Sequence, residues 1–167
     1  MTSGYPDLLV EEKRAPILVL GLGNMLLHDD GFGPALLNQL ATSDRWNGEV
    51  EFVDGGTQGL ALLAHLSGRR ALIIVDALKR GATPGTVHRL TLPELQELSP
   101  GRASSGHESN AGELLAAAQL LDELPDRLFV VGVEPEKIDT GIGLSETVQE
   151  ALPSASDQVT CLLNELC

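Results

Sequence analysis

The sequence is poor in aromatic side chains: tryptophan, tyrosine and phenylalanine make up 3% of its 167 residues. Its core must therefore be built mainly from Leu, Val, Ile and Ala. Cysteine is scarcer still. The two thiols, Cys161 and Cys167, lie at the end of the chain. Six residues apart on one helix, they stand about 9 Å apart along the axis at ~1.5 Å rise per residue, too far for a disulfide. A reduced, cytoplasmic protein is the expectation. Basic residues are also few: 11 Lys and Arg face 24 Asp and Glu, a formal charge of −13. That balance argues against nonspecific binding to nucleic acid or anionic membranes. No apolar run approaches the length of a membrane span. Asp7, Glu11 and Glu12 near the start do not fit a secretory leader.

The hydrophobic fraction, 43%, is ordinary for a folded globular domain, and the length suits one core. Residues 1–14 read as a flexible N-terminal tail, with a single domain over 15–167. Strands are expected at Ile17–Leu20, Glu49–Asp54, Ala71–Asp76, Gly85–Leu90 and Arg127–Val133. Between them lie helical stretches at Pro34–Leu40, Thr57–Leu66 (capped by Thr57), Pro93–Leu98 and Asn110–Leu124, the last with Leu114, Leu115, Ala118 and Leu121 inward. A final helix over Ser145–Leu166 carries Pro153, which should interrupt or kink it. This alternation predicts a three-layer α/β/α sandwich with a mainly parallel, twisted sheet of about five strands.

The most informative stretch is Ile17–Pro34. Four apolar residues end in Gly21-Leu22-Gly23, as in a dinucleotide-binding turn. That fingerprint needs a third glycine at position 26, and Leu26 stands there. The adjacent acids Asp29 and Asp30 would moreover repel a pyrophosphate. Acid–base or metal chemistry is the better reading of this loop.

Position supplies the candidates. Asp30 follows the first strand, Asp54 ends the second, Asp76 ends the third, and His107 precedes a helix. The carboxyl ends of parallel strands share one edge, where open α/β sheets bind ligands. Asp30, Asp76 and His107 make an O,O,N set suited to a divalent transition metal with open positions. Blander readings stand beside these. Asp76 and Asp54 can cap turns, His107 can be merely exposed, and Asp29 can be a solvated neighbour of Asp30. His28, His65 and His88 read as surface or helix residues. A zincin motif fails at Ala111, and no Gly-x-Ser-x-Gly elbow occurs.

Several segments, in order and spacing, resemble the maturation endopeptidases of nickel–iron hydrogenases. They are Gly21-Leu22-Gly23-Asn24 with Asp29-Asp30-Gly31-Phe32-Gly33, Asp54-Gly55-Gly56-Thr57-Gln58-Gly59, Leu72–Ala77, Pro84-Gly85-Thr86, His107, Val131-Gly132-Val133-Glu134-Pro135 and Gly143-Leu144-Ser145. The resemblance implies an endopeptidase that removes the C-terminal extension of the hydrogenase large-subunit precursor after nickel insertion. It puts the family's metal-contacting and catalytic positions on Asp30, Asp76 and His107. The nickel is that of the substrate precursor, and no organic cofactor is implied. The expected partner is the precursor, with no nucleic acid or membrane, and a monomer is the expected assembly. Two alternatives remain: another metal-dependent hydrolase on the same scaffold, and a noncatalytic nickel-recognising assembly factor.

Overall fold

The computed structural model describes residues 13–97 and 110–167. Five strands form one sheet: β1 (Ile17–Leu22), β2 (Val50–Gly56), β3 (Ala71–Ala77), β4 (Val87–Thr91) and β5 (Arg127–Val133). The order is β2-β1-β3-β5-β4, with every pairing parallel except β4 against β5. The central strands are buried along their length, as expected of a parallel sheet covered on both faces.

Alternation along the strands divides the core in two. Ile17, Val19, Ile73, Val75, Val131 and Val133 face α1 (Phe32–Leu40) and α5 (Glu146–Leu166). Leu18, Leu20, Leu72, Ile74, Leu128 and Val130 face the opposite layer. That layer holds a 3₁₀ turn, Gly59–Leu62, running into α2 (Leu63–Leu66), then α3 (Leu92–Glu97) and α4 (Asn110–Leu120). The three-layer expectation is met, and α1, α4 and α5 supply most of the cover.

Three local expectations need correction. Thr57 caps no helix: Gln58 precedes a 3₁₀ turn, and only Leu63–Leu66 is α-helical. Gly59, at φ +58°, sits in a conformation unsuited to the first turn of a right-handed helix. Leu121 is not inward. The helix stops at Leu120, Asp122 turns left-handed at φ +55°, and Leu121 is left exposed. Pro153 does not interrupt α5. Its ring faces solvent, while Val148, Ala151, Leu152, Ala155, Val159 and Leu162 bury the other face. Packing of that face outweighs the helix-breaking tendency, about 3 kcal/mol for an interior proline.

The β1–α1 connection is the tightest joint. A Cβ on Gly33 would lie 2.1 Å from the Leu22 carbonyl oxygen and 2.6 Å from that of Val75. The first turn of α1 therefore rests directly on the ends of β1 and β3. These strands lie side by side, yet the chain leaves β1 toward β2 on one flank and β3 toward β5 on the other. This reversal opens the crevice at which α/β sheets bind ligands.

Candidate functional site

Asp30 and Asp76 meet at that crevice. Asp30 lies in a 3₁₀ turn, His28–Gly31, between β1 and α1. Its Oδ2 accepts the Asn24 N–H at 2.8 Å, and Asn24 Oδ1 accepts the Leu26 N–H at 2.9 Å. The turn folds back so closely that a Cβ on Gly23, at φ +130°, would lie 1.8 Å from the Asp30 carbonyl oxygen. Only glycine fits there.

Asp76 is the penultimate residue of β3 and is 2% exposed. It shares a face with Leu72 and Ile74, toward α4. Its Oδ2 is buried and finds no hydrogen-bond partner among the described residues. Burial pushes the Asp76 carboxyl well above the usual carboxylate range, and the nearby charge of Asp30 pushes it further. The amides of Ala77 and Ala111 pull the other way without cancelling the effect. A buried carboxyl with an orphaned oxygen beside a second carboxylate is a place for a shared proton or a cation. The residues therefore fit an oxygen-ligated divalent ion, and equally an acid–base pair.

His107 lies outside the described residues. Among the described residues, no three His, Cys, Asp or Glu side chains gather into a metal-holding group. Asp54 stays with its turn, its Oδ1 accepting the Gly56 N–H at 3.0 Å.

Asp29 corrects the sequence reading most sharply. It is not a solvated neighbour but fully buried. Its carboxylate accepts the N–H groups of Glu136, Lys137 and Ser145 at 2.7–2.9 Å, and the Ser145 hydroxyl at 2.9 Å. Four donors suffice to hold a buried carboxylate. They bolt the Asp30 turn to the loop between β5 and α5. The Ser145 hydroxyl also accepts the Val148 N–H, capping α5.

Glu134 was not singled out as a chemical group by its sequence. Also buried, it follows β5 and accepts the N–H groups of Arg80 and Gly81, with His88 Nε2 at 3.3 Å. Burial raises its carboxyl, but the donors from Arg80, His88, Gly81 and Ala82 outweigh burial and hold it below the usual range. His88 is thus no surface residue: its side chain is 11% exposed. The pair secures the segment that leaves β3 just after Asp76. One signal was available, since Glu134 is a carboxylate at the end of a buried strand, like Asp76.

Residues 34–161 match the family described as hydrogenase maturation protease. The hydrogenase 2 maturation protease of Escherichia coli K12 is 38% identical over 151 residues, covering 89% of this chain and 91% of that one. The hydrogenase expression/formation protein HupD of Rhizobium leguminosarum bv. viciae is 32% identical over 164 residues, 98% of this chain and 80% of that protein. Among solved structures, the hydrogenase maturating endopeptidase HybD from E. coli superposes with a TM-score of 0.76 at 36% identity, over 89% of this chain and 92% of that one. The NiFe hydrogenase maturation protease HybD from Thermococcus kodakarensis gives 0.71 at 29% identity, over 87% and 97%.

Proposed function

The chain belongs to the hydrogenase maturation protease family and is an endopeptidase, and from that premise we propose that it removes the C-terminal extension of a nickel–iron hydrogenase large-subunit precursor after nickel insertion. Asp30, Asp76 and His107 are the proposed catalytic and metal-contacting residues. The nickel is part of the substrate, not a resident cofactor. The observation that carries this reading is the pairing of Asp30 with the buried Oδ2 of Asp76, which has no partner among the described residues, at the crevice between β1 and β3.

The chain's own residues do three things in this scheme. The Asp76 carboxyl presents an oxygen lone pair that burial has stripped of water. Asp30, steadied by the Asn24 N–H, supplies a second oxygen. His107 supplies a nitrogen from the segment preceding α4. The substrate's metal, once engaged, polarises nearby groups and orients the peptide. Hydrolysis then adds hydroxide to the scissile carbonyl carbon and a proton to the departing amine. Positioning alone contributes much of such a rate.

A second reading has its own support. The upward shift at Asp76 next to Asp30 is the arrangement of two carboxyls sharing one proton. In that scheme the pair is acid and base, and nickel only signals readiness of the substrate.

The test is cleavage of one purified precursor, with and without nickel, by wild type and by Asp76→Asn and His107→Ala. Cleavage of the nickel-loaded form alone, lost by at least a hundredfold in each variant, is expected. Equal rates on the two forms would remove nickel from the scheme, and wild-type rates in either variant would remove that residue.

A further inference from the structure

Six large hydrophobic side chains are exposed among the described residues: Met25, Leu26, Leu60, Leu120, Leu121 and Ile142. Four of them share the edge that holds Asp30 and Asp76. Met25 and Leu26 follow β1, Leu60 follows β2, and Ile142 lies in the loop after β5. Leu120 ends α4 and Leu121 follows it, away from this edge.

The backbone joins the loops that carry these residues. The Gly23 N–H donates to Gly56 O at 3.0 Å, linking the loops after β1 and β2. Leu27 pairs with Gly141 in a parallel bridge. The Gly141 N–H donates to Leu26 O, and the His28 N–H donates to Gly141 O, each at 2.8 Å. His28 adopts φ +46°, its Nδ1 lies 2.9 Å from Gly143 O, and a Cβ on Gly141 would meet its ring at 2.0 Å. Met25 lies against Gly31, next in sequence to Asp30. Strain and hydrogen bonding thus hold Leu26 (60% exposed), Met25 (52%) and Ile142 (80%) outward, where water gains nothing from them.

We propose that Met25, Leu26 and Ile142, flanked by Leu60, form the seat for an apolar segment of the precursor lying beside the scissile bond. This rests on the function proposed above. Two observations select that occupant. The rim is continuous with the carboxylate crevice, so whatever covers it also reaches Asp30. The end of β2 exposes Asp54, and the loop after β5 exposes Glu136 and Asp139 beside one base, Lys137, which pairs with Asp139, on a chain of net charge −13. An apolar segment with basic rather than acidic neighbours complements those carboxylates, whereas a second, equally acidic copy of this chain does not.

The test compares wild type, the triple variant Met25→Ser/Leu26→Ser/Ile142→Ser, the single variant Ile142→Ser, and Leu120→Ser/Leu121→Ser as a control. Each is given nickel-loaded precursor, with cleavage kinetics and direct binding both measured, and each is sized by sedimentation. Expected is a KM raised at least tenfold in the triple variant, kcat within twofold, and weaker direct binding. Ile142→Ser should shift both in the same direction by a smaller factor, and the control should match wild type. Wild-type KM and binding in the triple variant would overturn the seat while leaving the proposed cleavage intact. A wild-type dimer lost in the triple variant, with KM unchanged, would instead assign the rim to self-association. A wild-type enzyme that binds the precursor but does not cleave it would sink the function, while weaker binding by the triple variant would still support the seat. Failure of wild type both to bind and to cleave would sink the two together.

Discussion

Asp76, proposed for the site, carries a cost in stability, and the sign of that cost is testable. Its folded carboxyl titrates well above its unfolded value because it is buried and faces Asp30. Below the unfolded pKa both states hold the proton, and Asp76 costs nothing. As pH rises past that value the unfolded chain loses the proton while the folded chain keeps it, so stability falls. The fall continues until the folded group itself ionises, and the penalty is constant above that point. Asp76→Asn, a neutral side chain of similar shape, should therefore melt higher than the metal-free wild type at neutral pH. Each 1 kcal/mol gained corresponds to about 2–4 °C in a chain of this size. The gain should shrink toward zero as pH drops below the ordinary carboxylate range. Thermal melts across pH give the comparison, and a variant less stable than wild type at pH 7 would contradict the buried, strained carboxyl.

Residues of this kind were only partly legible. The rule that strand ends carry chemistry points to Asp30 and Asp76, which the fold brings near each other, and it points equally to Glu134, whose donors lie on a distant segment. Asp29 escaped because its role depends on amides 107 to 116 positions away in the chain, and no local pattern records them. Adjacent acids look alike in sequence, but the fold buries one and turns its neighbour toward the crevice.

At the level of elements, the site is made by loops that are tied rather than loose. Asp29 joins the β1–α1 turn to the β5–α5 loop, and Glu134 joins the segment after β3 to the end of β5. The strands themselves were plain from their apolar runs, because a strand buried on both faces leaves a continuous signal. The short helical turn after β2 and the end of α4 were less so. There, left-handed backbone at Gly59 and Asp122 decides the outcome, and side-chain periodicity does not report it. The clamp carries its own prediction. Asp29→Asn keeps the shape but turns an amide NH₂ toward the backbone N–H groups of Glu136, Lys137 or Ser145, which only donate. A loss of about 2–3 kcal/mol is expected for a buried, charge-assisted cluster, read as a fall in melting temperature. Cleavage should fall with it, because the turn that holds Asp30 is released. A variant with wild-type melting and wild-type cleavage would show that the loops are held by something else.

For the whole molecule, charge sets two quantities against each other. A net charge of −13 on 167 residues repels itself, and such repulsion destabilises the compact state. Ion pairs do little to offset it. The exposed Arg89–Glu165 contact is of a kind contributing about 0–1 kcal/mol, and the Arg69–Glu51 pair serves to pin the start of β2. Raising salt from about 10 to 100 mM shortens the screening length from ~30 to ~10 Å. The melting temperature at pH 7 should therefore rise over that range. The same screening weakens attraction between the acidic loops that carry the rim and a substrate with basic flanks, so kcat/KM should fall, chiefly through KM and association rate. Stability and activity should thus move in opposite directions with salt. The Met25→Ser/Leu26→Ser/Ile142→Ser variant separates the causes, since it removes apolar contact but no charge. Its melting temperature should respond to salt as wild type does, and its KM, already raised, should keep the wild-type salt slope. A kcat/KM that rises with salt in wild type would mean that the substrate meets this edge with like charge, and the basic flanks assigned to it would be wrong.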